Sequence, residues 1–310
     1  MPKNLALALD LGGTKVEAAL IDSSGHLVPG SRRRRPTGAA ANSPELTSRV
    51  REVVAETLST LQGGATILGV GAGSAGPIHQ ENGLISPLNL SAWRDFPLAA
   101  LLADCVPDTA ITLRIDGLCI ALAEHWVGAG QGASNFMGMV VSTGIGGGLV
   151  LGGRAAPGPT GNAGHIGHLE VGGAEDPCSC GGKGCLEAVA SGPRTVAWAQ
   201  NRGWKGTSGQ DLAASYSAGD PIALAAIERC GRAIGRAIGS ATALLDLDVV
   251  AIGGGFSRAS PDLFDFIRRG LDAHTEFDFV RRVQIVPSAL GDEAPLVGAG
   301  ALVHRAELLK

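Results

Sequence analysis

The chain carries the same short device twice: an apolar strand, a glycine-rich turn and a second strand. It first runs Leu5-Ala6-Leu7-Ala8-Leu9-Asp10, turns at Gly12-Gly13, and continues over 16–22. It recurs as an apolar strand over 137–141, a Ser142-Thr143-Gly144 turn with Gly146, Gly147 and Gly148, and a strand over 149–151. Two such hairpins about 130 residues apart predict a duplicated α/β architecture with one phosphate-facing turn in each half. The strands after the glycines exclude two other phosphate binders. A Walker loop needs GxxxxGK[ST] running into a helix and a dinucleotide fold needs GxGxxG doing the same, and neither pattern occurs.

The turns draw on an excess of glycine, 47 of 310 residues, roughly twice the average usage of ~7%. At ~100–200 residues per domain this length suggests two domains. With 45% hydrophobic residues the chain is not intrinsically disordered, and a net charge of −4 leaves no global basic field for nucleic acid or an anionic membrane. No apolar run is long enough for a signal segment or a span.

Between the hairpins, the basic run Arg32-Arg33-Arg34-Arg35 reads as a solvated edge strand or loop. Ser43-Pro44-Glu45 reads as a capped helix start, followed by Leu46, Val50, Val53, Val54, Leu58 and Leu61 at helical spacing until Gly63-Gly64. A short buried strand is expected over 67–71. In the second half Asp220-Pro221 caps a long helix whose Gly231, Gly235 and Gly239 admit a close neighbour. A strand over 248–252 leads to Gly253-Gly254-Gly255, Ser260-Pro261 caps another helix, and 293–309 forms the last.

Three of the six cysteines stand within eight positions, as Cys178, Cys180 and Cys185, and His168 precedes them. One imidazole and three thiolates match a closed, tetrahedral and hence structural Cys₃His zinc site. A redox Cys-x-Cys pair is the rival reading, opposed by the near third cysteine and the histidine. The remaining cysteines lie singly in apolar surroundings, which fits a reducing cytoplasm.

Together, Asp10-Leu11-Gly12-Gly13-Thr14-Lys15, the turn at 142–148, Gly164-His165-Ile166-Gly167-His168 and the CSCGGKGCLE stretch at 178–187 resemble the ROK family of sugar kinases. The likeness extends to 89–95 and to Leu290-Gly291-Asp292-Glu293-Ala294. It implies an actin-like, ribonuclease-H-like α/β fold of two duplicated domains with sugar and ATP in the cleft between them. The domains are expected at 1–117, joined by the C-terminal helix 293–310, and at 118–292, which carries the zinc site. ROK repressors add an N-terminal helix-turn-helix domain; with four residues before Leu5, none is expected here.

The same resemblance assigns roles. Asp116 stands where the family carries its catalytic Asp, the base for the sugar 6-hydroxyl. Sugar contacts fall on Asn89, Asp116, His165, His168 and Glu187. Asp10, Gly12, Gly13, Thr14 and Lys15 form the first phosphate turn, with Asp10 reaching Mg²⁺. Thr143, Gly144, Gly146 and Gly147, with Ser142, form the second, and Gly254 and Gly255 the adenosine side. His168 would ligate zinc through one ring nitrogen and offer the other to a sugar hydroxyl. Trp93, Trp126, Trp198 and Trp204 are expected to pack rather than to form sugar platforms.

Two positions depart from the family pattern. Most members have Asn-Asp where this chain has Ile115-Asp116, and Glu where it has His165. The expected activity is ATP- and Mg²⁺-dependent phosphorylation of the 6-hydroxyl of glucose or of an amino-substituted glucose or mannose. A homodimer or homotetramer is expected by resemblance. The alternative is a catalytically silent sugar-binding or regulatory protein.

Overall fold

The near-continuous burial of both strands of the opening hairpin fits a place inside a sheet covered on both faces. The computed structural model describes residues 4–38, 41–88 and 90–309. It begins with β1 (Asn4–Leu11), β2 (Lys15–Ile21), β3 (Arg33–Pro36) and α1 (Ser43–Leu58). β4 (Thr66–Ser74), a small hairpin of β5 (Ile78–His79) and β6 (Leu84–Ile85), α2 (Leu98–Cys105), β7 (Ile111–Ile115) and α3 (Asp116–Val127) come next. The second half comprises β8 (Phe136–Val141), β9 (Ile145–Leu151), β10 (Arg154–Ala155) and helices α4 (Leu186–Ala190), α5 (Gly192–Gln200), α6 (Gly209–Ser217) and α7 (Pro221–Leu245). It ends with β11 (Val249–Gly253), α8 (Leu263–Asp272), α9 (Asp278–Arg281), β12 (Gln284–Pro287) and α10 (Ala294–His304).

The two main sheets repeat one plan. The first has the order β3-β2-β1-β4-β7 and the second β10-β9-β8-β11-β12. In each, three antiparallel strands come first and two parallel strands are added beside the first strand of the hairpin. The duplication expected from the hairpins is therefore a duplication of whole sheets. Each sheet has its own apolar core, one built around Leu7, Leu9 and Trp93 and the other around Met139, Ile234 and Ile267. Burying these side chains, at about 25 cal/mol per Å² of apolar area, is what holds each sheet to its helices.

Local capping differs in detail from the sequence expectation. The cap of α1 is Asn42, whose side chain accepts the Glu45 N–H while the Glu45 carboxylate accepts the Asn42 N–H. The helix stops at Leu58, before Gly63, because Ser59 already closes it onto Ala55. Asp220 caps α7 as expected, accepting from Ile222 and Ala223. Ser260 instead accepts the Asp262 N–H, and α8 begins only at Leu263. The last helix is shorter than 293–309: α10 ends at His304 and a 3₁₀ turn covers Ala306–Leu309. The basic run does form an edge strand, β3.

Helix α3 lies between the two sheets, packed on α10 and against strands of both. Its backbone approaches neighbouring backbones at glycines: a methyl group at Gly298 of α10 would overlap the Cys119 carbonyl, and one at Gly117 would overlap the Gly147 carbonyl. Gly235 of α7 makes the same kind of approach to Ile267 of α8, as the four-residue glycine spacing predicted. No helix among the described residues is long and apolar enough to cross a membrane. Gly298→Ala is expected to destabilise the protein by about 1–3 kcal/mol through overpacking, read as a shift in the denaturation midpoint.

Candidate active site between the two sheets

Strand β7 hands the chain to α3 at Asp116, so this carboxylate sits on the first residue of a helix and at the mouth between the sheets. Its Oδ1 accepts the Gly117 N–H at 2.7 Å, which leaves Oδ2 for another partner. Burial pushes its pKa up to about 6; backbone hydrogen bonds oppose this and the nearby Glu187 charge adds to it. Asp10, near the end of β1, is 5% exposed, and no described residue hydrogen-bonds its carboxylate. Burial first, then the Asp116 charge, push its pKa up to about 7.

Glu17, paired across the hairpin from Asp10, meets the opposite environment. Lys15 lies 3.0 Å from one of its oxygens, Arg32 2.8 Å from the other, and Arg34 is also bound to it. Burial alone would raise its pKa, but hydrogen bonds from Arg32 and Lys15 hold the group below the usual carboxylate range. Lys15 is thereby committed to Glu17 within its own hairpin.

A cavity of ≈ 490 Å³ opens beside Asp116. Gly13 and Thr14 of the first turn line it, with Ser142, Thr143, Gly144 and Gly146 of the second. His165, His168 and Glu187 close the opposite side. Glu187 Oε2 accepts the Ile145 N–H at 2.8 Å, which ties α4 to the second hairpin. His165 stands against Gly76, where a Cβ would lie 3.0 Å from its Cε1. Burial and the neighbouring His168 lower its pKa, so the ring is neutral at neutral pH, with one donor and one acceptor. Ile115 is buried, its Cγ2 also directed at Gly76.

The other sequence-derived positions fall outside this lining. The Gly12 N–H closes the first turn onto the Lys15 carbonyl, and Gly147 packs against Gly117. Gly254 and Gly255 line an adjoining cavity of ≈ 400 Å³ with Ser288, Gly291 and Asp292. Gly255 also borders a third cavity, of ≈ 570 Å³, that shares Ser142 and Thr143 with the central one. The three form a chain from Asp116 to the Gly253–Gly255 turn. Asn89 lies outside the described residues. None of the four tryptophans lines these cavities: Trp93 stacks on Phe96, Trp204 donates to Ser215, Trp198 carries Arg202 and Trp126 meets His304.

His168, Cys178, Cys180 and Cys185 bring four ligand atoms within 4.8 Å of one another. The Cys180 and Cys185 sulfurs are 3.7 Å apart, and Cys178 Sγ is 3.7 Å from His168 Nδ1. A tetrahedral zinc with Zn–S of about 2.3 Å requires S···S edges of about 3.8 Å and S···N edges of about 3.5 Å. The donor set fits. With Nδ1 turned to the sulfurs, Nε2 of His168 is the ring nitrogen left for the cavity.

Residue spacing did not reveal Gly76, Ala75 and Leu88, which reach the central cavity from the loops after β4, or Ser288 and Asp292 beside the glycine turn. Gly76 carried a signal, since a glycine before proline allows close approach. Glu124 carried another, as an acid following the apolar run 118–123 of α3; it is fully buried.

The fold and the site define a phosphotransferase of the actin-like class, with its cavities between two duplicated sheets. The ROK family model matches residues 6–306, and the chain belongs to this family; its class of activity is that of a sugar kinase. A glucokinase of Halalkalibacterium halodurans is 30% identical over 322 residues, covering 97% of this chain and 95% of its own. An N-acetylmannosamine kinase of Yersinia pseudotuberculosis is 33% identical over 310 residues, covering 97% and 99%. A ROK family glucokinase from Streptomyces griseus, solved in complex with glucose and AMPPNP, superposes with a TM-score of 0.83 at 26% identity, covering 97% of this chain and 100% of that one.

Metal analysis of the purified protein is expected to find about one zinc per chain. Cys180→Ser is expected to lower both metal content and melting temperature, because binding energy at a structural site is folding energy. A metal-free, fully active protein would contradict this.

Proposed function

We propose that this chain transfers the γ-phosphoryl group of ATP to the 6-hydroxyl of a hexose, glucose or an amino-substituted glucose or mannose. One observation carries the reading. A half-buried carboxylate with a free oxygen, Asp116, faces a cavity lined by two glycine turns, one from each sheet. Phosphoryl transfer needs little covalent chemistry from the protein beyond a positioned base, donors on the phosphates and exclusion of water.

The residues divide accordingly. Asp116 Oδ2 takes the proton of the sugar hydroxyl as the oxygen attacks phosphorus; with its pKa near 6 the group is ionised at neutral pH yet still basic. Thr14 and Thr143 offer hydroxyl and backbone donors to the phosphates, and the Gly254-Gly255 turn takes the adenosine. Asp10, buried, raised and unpartnered, fits a cation, and Mg²⁺ held there would offset charge on the phosphate oxygens. Glu187 Oε1, His168 Nε2 and His165 are the groups turned to the sugar, with Asn89 as a further contact. Zinc on His168, Cys178, Cys180 and Cys185 fixes the loop that bears the two histidines. Its thiolates call for a reducing compartment, the cytoplasm. The reading divides the chain into an N-terminal domain, 1–117 joined by 293–310, and a larger second domain, 118–292, that carries the zinc ligands.

Two measurements test the base and the sugar reader. With Asp116 as base, kcat/KM rises as pH passes upward through about 6, because the ionised form is the active one, and falls away below it. Asp116→Asn should keep fold and sugar affinity within a few-fold while kcat falls by ~10²–10⁴; a loss under threefold in an ADP-release assay rejects the role. A wild type that binds sugars but releases no ADP with any of a panel would instead be a sugar-binding protein. His165→Glu should shift the kcat/KM ratios between glucose and its amino and N-acetyl analogues by ~1–3 kcal/mol. A uniform loss, with ratios unchanged, would mean that His165 only supports its loop.

A further inference from the structure

Glu124 occupies the last turn of α3, the helix that begins at Asp116, and is fully buried. Among the described residues four donors converge on its carboxylate and no cation does. Oε1 accepts the Ser288 hydroxyl at 2.5 Å and the Leu290 N–H at 3.1 Å. Oε2 accepts the Ala129 N–H at 2.8 Å and the Ala289 N–H at 3.2 Å. Gly128 leaves the space into which the carboxylate folds, for a side chain there would overlap it. Three of the four donors belong to the turn after β12. That turn forms one wall of the cavity whose other wall is Gly253-Gly254-Gly255, through Ser288, Gly291 and Asp292.

The turn is held at its other end as well. Arg32 of the first sheet's edge lies 3.1 Å from the Asp292 carbonyl and 3.2 Å from its carboxylate. Within the turn, Ser288 Oγ donates to Glu124 and accepts the Gly291 N–H at 3.0 Å, while its Cβ abuts Gly253. The position of the cavity wall is thus dictated by a side chain about one α3 length from Asp116.

We propose that Glu124 is a positioning residue for the nucleotide: it holds the 288–291 turn at the spacing from Gly253–Gly255 that accepts adenosine, from the same rigid helix that sets Asp116. The inference rests on the reading of that cavity as the adenosine side. Only an acceptor-only group satisfies four donors, so the geometry demands a carboxylate and not merely a polar residue. A buried glutamate serving stability alone would affect both substrates alike. A glutamate that sets one wall affects the nucleotide.

Glu124→Gln is the near-isosteric test, since its NH₂ group would face two of the donors. Calorimetric titration with AMPPNP and Mg²⁺, and separately with sugar, reads the two sites in the folded protein. AMPPNP affinity is expected to fall about 10-fold or more, the scale of a hydrogen bond to a charged group, with sugar affinity within twofold. Ser288→Ala, which removes one donor, should shift nucleotide affinity the same way by a smaller factor. Nucleotide affinity within twofold of wild type, or equal losses for both ligands, overturns the proposal. If Glu124→Gln does not fold, Ser288→Ala decides by the same criteria. A wild type that binds sugar but no AMPPNP would overturn the adenosine reading and this inference with it, whereas nucleotide binding that survives both variants overturns the inference alone.

Discussion

Asp116 and Glu124 are both carried by helix α3, and α3 can sit where it does because glycine stands at several of its close backbone crossings. Gly117 lies on the second hairpin at Gly147, Gly298 of α10 lies on Cys119, and Gly138 of β8 lies on Ala121. Interiors pack at crystal-like density, so one methyl group at any of these crossings would push the helix from the cleft. A rigid helix with Asp116 at one end and Glu124 at the other is the result. One end faces the central cavity, and the other holds a wall of the adjoining one.

The carboxylates illustrate how environment decides chemistry. Asp10 and Glu17 face each other across one hairpin, both buried, yet their pKa values move in opposite directions. Glu17 gathers Lys15, Arg32 and Arg34, and its charge is compensated within the protein. Asp10 gathers none of them closely, and burial dominates. Asp116 adds a second contest: its place in the first helical turn and its backbone hydrogen bonds favour the anion, a helix terminus being worth typically 0.3–1 kcal/mol. Burial still wins, leaving a pKa of about 6. The molecule therefore keeps one acid compensated by cations and two, Asp10 and Asp116, whose pKa values burial raises.

The Cys₃His cluster and the central cavity share one short segment, from His165 to His168. His168 reaches the sulfurs with Nδ1, and His165 sits one 3₁₀ turn earlier, pressed against Gly76 from the first half of the chain. His165, where the resemblance led to an expectation of Glu, thus has Gly76 on one side and His168 on the other.

The amino-acid order alone determined the twofold hairpin plan, the edge strand of arginines, the capped helix from Asp220 and the Cys₃His spacing, since each is a local pattern of period, cap or ligand interval. It also marked Gly13, Thr14, Asp116, Thr143, Gly144, Gly146, His165, His168 and Glu187 of the central cavity, through the resemblance of their motifs to a known family. Tertiary structure decided what depends on distant partners. Lys15 is paired with Glu17, a buried acid that also gathers Arg32 and Arg34 from the strand edge. Gly147 became a packing surface because α3 lies on it. Gly76 and Ser288 reached their cavities from loops with no periodic signal, and Glu124 acquired its role only when a turn more than 160 residues later folded three donors onto it. Contacts of that span are set by how sheets and helices stack, which no local pattern records.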